Sequence, residues 1–356
     1  MILKDVIKKF DKSNIKAGDG LEKGKYPLYT CSPIVNKYLN DYLYEDEALI
    51  ISTGGNFSIH YVNGKFNYST DCYVFNTDKY NLKYLYYYLL SKKYDINKMF
   101  RGAGLKHLNK NEFVMLNIKD IPLNKQCDIV NHLDKMKEMI ELRKKEIEMC
   151  NNLIKSQFVE MFDNKDFPYV QFKEYMERCV DIGSNGANAV VMEHYNMTDT
   201  KDFAMVIRFT NLNSGDFEKD VKYINKEDYE FYSKSKVYGD EIIFCKIGSA
   251  GMNYIMPKLN MPVTLGLNQI MVTPKNINTR YLYEYINSLE GKKYINNNIN
   301  GAVTKTITKH ALWGFPIKTP PIELQNKFAQ IVEQIDKQKF VIENLCQIIG
   351  KMSNLC

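Results

Sequence analysis

The sequence predicts an α+β protein: two pseudo-repeated globular modules separated by an antiparallel two-helix coiled-coil spacer. Three observations carry that expectation. A segment recurs at a displacement of about half the chain, each copy runs into a long heptad pattern, and each is preceded by short β-rich runs and a tyrosine-rich helix. At 356 residues the chain is roughly twice a typical domain, so two folded bodies are the natural expectation.

Gly102-Ala-Gly-Leu-Lys106-His-Leu108-Asn-Lys110 matches Gly301-Ala-Val-Thr-Lys305-Thr-Ile307-Thr-Lys309, displaced by 199 residues throughout. The match continues without a gap through Ile118/Ile317, Pro122/Pro321 and Gln126/Gln325. After a short insertion, Ile129-Val130 falls on Ile331-Val332 and Leu133-Asp134-Lys135 on Ile335-Asp336-Lys337. A period this long is no solenoid; it marks two copies of one module.

Each copy ends in a rod. Ile129, Leu133, Met136, Ile140, Ile147, Cys150, Ile154 and Phe158 advance in steps of three and four, broken only by Arg143. Phe328, Ile331, Ile335, Ile342, Leu345, Ile349 and Met352 do the same, broken at Gln338. Apolar residues at a 3.5-residue spacing over about four heptads form a coiled-coil seam. Prolines at 122 and at 320–321 stand where a helix begins. Some thirty-five residues at ~1.5 Å each give rods on the order of 50 Å long. Neither rod can bury its seam alone, and an antiparallel pair satisfies both chain paths.

Ahead of the first rod, Ala48–Ser52 and Cys72–Phe75 read as strands and Tyr84–Leu90 as a helix. Ahead of the second, Glu241–Cys245 and Gln269–Thr273 read as strands and Arg280–Ile286 as a helix. The boundaries expected are a first module over 1–121, a spacer helix over 122–162, a second module over 163–319 and a second spacer helix over 320–356.

Composition narrows the function. Apolar residues make up 45% of the chain and mean hydropathy is −0.38, which suits buried cores. No run reaches the ~20 apolar residues of a membrane span. Charges near the start (Lys4, Asp5, Lys8, Lys9) argue against an export signal. The eight cysteines form no Cys-x-x-Cys pair, as expected of reduced thiols in a cytoplasm. A net charge of +6 is only a slight push toward nucleic acid. Catalytic tools are missing: there is no Asn/Asp-Pro-Pro-aromatic methyltransferase motif, and no His-Glu-x-x-His. The stretch Gly20-Leu-Glu-Lys-Gly24-Lys25-Tyr26 lacks the spacing and hydroxyl residue of a phosphate loop.

Two segments then resemble a known family. Ile121-Pro-Leu-Asn-Lys-Gln126, Ile129-Val130, Leu133-Asp134-Lys135 and Lys155-Ser-Gln-Phe158-Val-Glu-Met-Phe162 resemble the central conserved region of type I restriction–modification specificity subunits. Pro320-Pro-Ile-Glu-Leu-Gln325-Asn-Lys-Phe-Ala329 and Val332-Glu-Gln-Ile-Asp-Lys337 resemble the distal one, which is expected to be short here. The resemblance implies two target-recognition domains on a helical spacer, reading a bipartite, asymmetric site in double-stranded DNA. It implies no catalysis and no cofactor on this chain. Two modification subunits would carry S-adenosylmethionine and methylate adenine, with ATP and Mg on restriction subunits where a system has them. Two alternatives stand beside it: the recognition half of a single-chain restriction or modification enzyme, and a protein-interaction module that has lost DNA reading.

Base reading calls for polar side chains on loops, and phosphate anchoring for lysines. In the first module the candidates for DNA contact are Thr53, Asn56, Ser69, Thr70, Arg101, Lys106 and Lys110. In the second they are Arg208, Asn211, Lys246, Ser249, Thr264, Asn268, Lys305, Thr306 and Lys309. Lys106/Lys305 and Lys110/Lys309 recur, as a sequence-independent phosphate contact requires. Thr53-Gly54-Gly55-Asn56 answers to Ile247-Gly-Ser-Ala-Gly251, so the two half-sites should differ. Inserting one helical turn into both spacer helices is expected to change the gap between half-sites while leaving their bases unaltered; mapping the recognised sequence checks this, and altered half-site bases would contradict it.

Overall fold

The computed structural model describes residues 1–163 and 165–353. Cys356 and the side chain of Met352 lie outside the described residues. The chain divides into two compact units, one of residues 1–145 together with the chain from 343 onward, the other of residues 146–342. The units are therefore not consecutive segments, because each takes part of both long helices.

In the first unit a six-stranded sheet is built around Tyr44–Ser52, flanked by Ile59–Tyr68 and Cys72–Asn76. Alternation sets its faces. Leu49, Ile51, Tyr73 and Phe75 point to one core, against the tyrosine helix Leu82–Ser91. Ala48, Ile50, Val62, Phe66 and Val74 point to a second cluster on the other face. The second unit holds two four-stranded sheets, Met176–Val180, Gln269–Pro274, Ile242–Cys245 and Asn253–Ile255 in one, and Lys222–Ile224, Ala204–Ile207, Val263–Leu265 and Lys236–Val237 in the other. Its tyrosine helix is Thr279–Asn287. The expected strands and helices are present in both units. The second sheet of the second unit has no counterpart among the described residues of the first.

The long helices span Leu123–Phe158 and Ile322–Ser353. In the second unit the last turns of the first helix (Ile154, Phe158) share a core with the first turns of the second (Phe328, Val332, Ile335). Phe158 and Phe328 meet edge to face at 5.6 Å. End against beginning is an antiparallel pairing. The seam of the first helix follows the heptad reading, with Ile129, Met136, Ile140, Ile147 and Cys150 half-buried and Leu133 buried. In the second helix Leu345 is exposed and Cys346 is half-buried, so the seam steps over by one residue after Ile342.

Each tyrosine helix is fastened to a long helix by the same polar device. The buried Gln126 donates through Nε2 to Ile121 O (2.7 Å), and its Oε1 accepts the backbone N–H of Asn81 (2.8 Å). Gln325 does so with Pro320 O (2.8 Å) and the N–H of Asn278 (2.9 Å). Asn81 and Asn278 in turn cap their helices, accepting from Tyr84 N and Tyr281 N. An ion pair between the same two helices is repeated too, from the residue two places past each asparagine: Lys83–Asp134 at 2.5 Å and Arg280–Asp336 at 2.8 Å. Removing a buried partner strands the other group at about 1–3 kcal/mol. Gln325→Ala is accordingly expected to lower the stability of the second unit by that amount, and Gln126→Ala that of the first; urea unfolding of each variant measures it, and an unchanged midpoint would show that the amide is dispensable.

Candidate nucleic-acid interface

In both units a buried central strand runs out into a loop held by the repeated Gly-Ala segment. In the first, Leu108 N donates to Thr53 O (2.9 Å) and Gly55 N to Lys106 O (2.8 Å). In the second, Ile307 N donates to Lys246 O (3.0 Å) and Gly248 N to Lys305 O (3.1 Å). Bridges between Gly54 and His107 and between Ile247 and Thr306 complete the match, so the segment answering to Thr53–Asn56 begins at Lys246, one residue before the Ile247 expected from the sequence. Gly102 (φ 144°) and Gly301 (φ 102°) turn the supporting loops through left-handed backbone, where a Cβ would strike the carbonyl of Leu105 or Thr304. Asn109 and Thr308 then cap short helices beginning at Lys110 and Lys309.

The charge on this common frame differs between the units. Lys110 lies with Lys9 and Lys12, and partial burial followed by the two like charges outweighs the opposing charge of Asp71 and pushes its ammonium below the usual lysine range. No carboxylate ion-pairs with it among the described residues. In the second unit Lys246 and Lys309 close on one carboxylate, that of Asp181, at 2.8 and 3.1 Å. Burial alone would raise Asp181, but its hydrogen bonds and charge contacts with the two lysines outweigh this and hold it at about 2.

The sequence candidates fall into two groups. Asn56, Arg101, Lys106, Lys110, Ser249, Asn268 and Lys305 are exposed, with Thr70, Arg208, Lys246, Thr306 and Lys309 half-exposed. Asn268 sits at a turn with φ 59°, and Arg101 is paired with Glu112 at 2.8 Å. The others are inside. Thr53 donates its hydroxyl to Asp71 O (2.7 Å). Ser69 is fully buried beside Cys72, and Thr264 is buried in a central strand. Asn211 is buried, its Nδ2 directed at Asp216 O. The expectation of DNA contact is corrected for these four: their side chains are spent on holding loops and cannot face a groove. Arg208 is tied to Asp220 O, while its Nε, Asn211 Oδ1 and Gln269 Nε2 are buried without a partner among the described residues.

Asp181, Lys9 and Lys12 belong to this surface, and sequence reasoning missed them. Lys9 is visible as part of the charged start, where it argues only against export, and Lys12 drew no reading at all. Asp181 carries no sequence signal, because its partners lie 65 and 128 residues away. Among the described residues no His, Cys, Asp and Glu group is placed to hold a metal, and no helix is long and apolar enough to cross a membrane.

A duplicated α+β frame, each copy ending in a long helix, defines a two-module protein, and the sequence comparisons give its family. The profile of the type I restriction modification DNA specificity domain matches residues 1–151 and 192–349, and the chain belongs to that family. It is 20% identical over 372 aligned residues to the type I restriction enzyme EcoDI specificity subunit of Escherichia coli, covering 93% of this chain and 80% of that one. The fold is similar to that of a type I restriction–modification S subunit from M. genitalium, with TM-score 0.62, 14% identity, and 100% and 93% of the two chains covered. A second structure, described as the basis of complex assembly and conformational transition of the type I R-M system, aligns with TM-score 0.56, 13% identity, and 100% and 95% covered.

A carboxylate held low stabilises the fold above its ordinary value and loses that contribution as pH falls through the folded value. The Asp181 contribution is therefore expected to vanish between about pH 4 and about pH 2. Melting temperatures across that window should fall less steeply for Asp181→Asn than for the wild-type chain; identical slopes would show that the trio contributes nothing.

Proposed function

We propose that this chain is the sequence-reading subunit of a type I restriction–modification complex, recognising a bipartite, asymmetric site in double-stranded DNA with one half read by each unit. One observation carries the proposal: the same loop frame is built twice, with common lysines at Lys106/Lys305 and unlike residues at the strand ends. Phosphates are the same everywhere, whereas base edges are not, so phosphate contacts can be held in common while base contacts must differ. Lys106, Lys110 and Lys305, with Lys9 and Lys12, have the charge and exposure for phosphates. Asn56 in one unit and Ser249, Asn268 and Thr306 in the other have the chemistry for base edges.

The chain itself performs no reaction in this reading. Two modification subunits would bring S-adenosylmethionine to the site and methylate adenine, and restriction subunits, in a system that has them, would add ATP- and Mg-dependent cleavage. The repeated fastening of tyrosine helix to long helix offers two like surfaces for two like partners, and a complex of this kind acts in the cytoplasm.

Lys305→Ala is expected to weaken binding of the full chain to duplexes of every sequence alike. It should also reduce the slope of log affinity against log salt by about 0.9, the value for a single phosphate. Titration of a random-sequence duplex at several salt concentrations measures both. Weakening confined to one sequence would make Lys305 a base reader instead. A wild-type chain with no salt-dependent duplex binding would favour the protein-interaction alternative.

A further inference from the structure

The Asp181 cluster goes beyond phosphate anchoring. Asp181 follows the strand Met176–Val180 and caps the turn Ile182–Asn185, with its own N–H donating to Ser184 Oγ (3.2 Å) and Ser184 Oγ donating back to Oδ1 (3.0 Å). The carboxylate is thus fixed from behind before any lysine is considered. Lys246 Nζ donates to Oδ2 at 2.8 Å, while Lys309 Nζ donates to Oδ1 at 3.1 Å and to Ser184 Oγ at 3.3 Å.

The order of burial gives the cluster a direction. The Asp181 side chain is 12% exposed, against 37% for Lys246 and 31% for Lys309. The carboxylate is the inner member and the ammonium groups are the outer ones. The backbone of Lys246 is pinned as well, its N–H donating to Asn268 O (2.7 Å) and its carbonyl accepting from Ile307 N. An ammonium has three donors. Lys246 spends one here and Lys309 two, so each keeps at least one N–H for a ligand. Two lysines that would otherwise sweep solvent on four-carbon stems become donors at set positions. Their summed charge falls from two to one, which weakens an indiscriminate pull on phosphate. The first unit shows the contrast: Lys110, the counterpart of Lys309, sits among Lys9 and Lys12 with no ion-paired carboxylate among the described residues, and Thr53 stands where the second unit has Lys246.

We propose that Asp181 is a positioning residue for sequence discrimination in the second unit, holding Lys246 and Lys309 as a half-neutralised, oriented donor pair that reads base edges rather than merely gripping the backbone. The inference rests on the DNA-reading function proposed above. Acceptor-rich base edges in the major groove, the N7 and O6 of guanine above all, are the chemistry such a pair matches.

The test uses the full-length chain, a random-sequence duplex pool, and the duplex that the wild-type chain enriches from it. Asp181→Asn is nearly isosteric and releases the lysines. It should tighten binding to the random pool and steepen its salt slope by about 0.9 for the charge unmasked. The ratio of enriched-duplex to random-pool affinity should fall by roughly tenfold. The base positions that relax should be those that relax in Lys246→Gln, which serves as the second variant if Asp181→Asn melts early. A merely structural carboxylate would lower both affinities in parallel and leave the ratio intact. That outcome, or a ratio unchanged in both variants, overturns the proposal while leaving the functional reading in place. A wild-type chain that enriches no sequence overturns both.

Discussion

The rest of the structure depends on one buried amide. Gln126 and Gln325 each stand in the first turn of a long helix, where backbone groups lack helical partners, and each uses both ends of its side chain. One end closes on a carbonyl just before the helix, and the other receives the N–H of the asparagine that starts a tyrosine helix. A carbonyl, a cap residue and two helix starts are thereby fixed to one another. An apolar residue of the same size could fill the space but could not satisfy the asparagine N–H, and a buried unpaired donor is costly. The constraint is local, so it could be copied whole with the module. None of its hydrogen bonds involves the strand-end loops.

What changed is chiefly electrostatic. The strand-end loop, its glycine turn and the capped short helix are common to both units, yet the cation at their centre is set among lysines in one and against a carboxylate in the other. The first arrangement suits a polyanion of any sequence, because three like charges are relieved by any phosphate. The second gives up net charge for fixed donor directions. The second unit also has a further sheet, centred on Ala204–Ile207 and Val263–Leu265, which carries Arg208 and leads into the Asn268 turn.

Legibility in the sequence followed the range of the interactions. The repeat and the seam were readable because glycines at left-handed φ and apolar residues at 3.5 spacing are local demands. Gln126 and Gln325 were visible as matched letters, but their partners are 45 and 47 residues away, so the role was not. Ser69 and Thr264 were chosen for their polar side chains alone; burial depended on which strands lie beside them, Thr264 being enclosed by the parallel pairing of Val263–Leu265 with Met205–Ile207. Leu345 fitted the heptad count, yet the helix presents Cys346 instead. Asp181 was beyond reach altogether, as a carboxylate whose meaning is given by two lysines from distant segments.

Under the proposed function, one reader was duplicated and then retuned. The most direct measurement is a genome-wide map of methylated adenines in cells carrying the complete system, with this chain present and then removed. The account predicts a chain-dependent motif made of two unlike specified blocks around an unspecified gap of constant length, with methylation abolished on removal. A single continuous block, two identical blocks, or methylation that persists without the chain would contradict it.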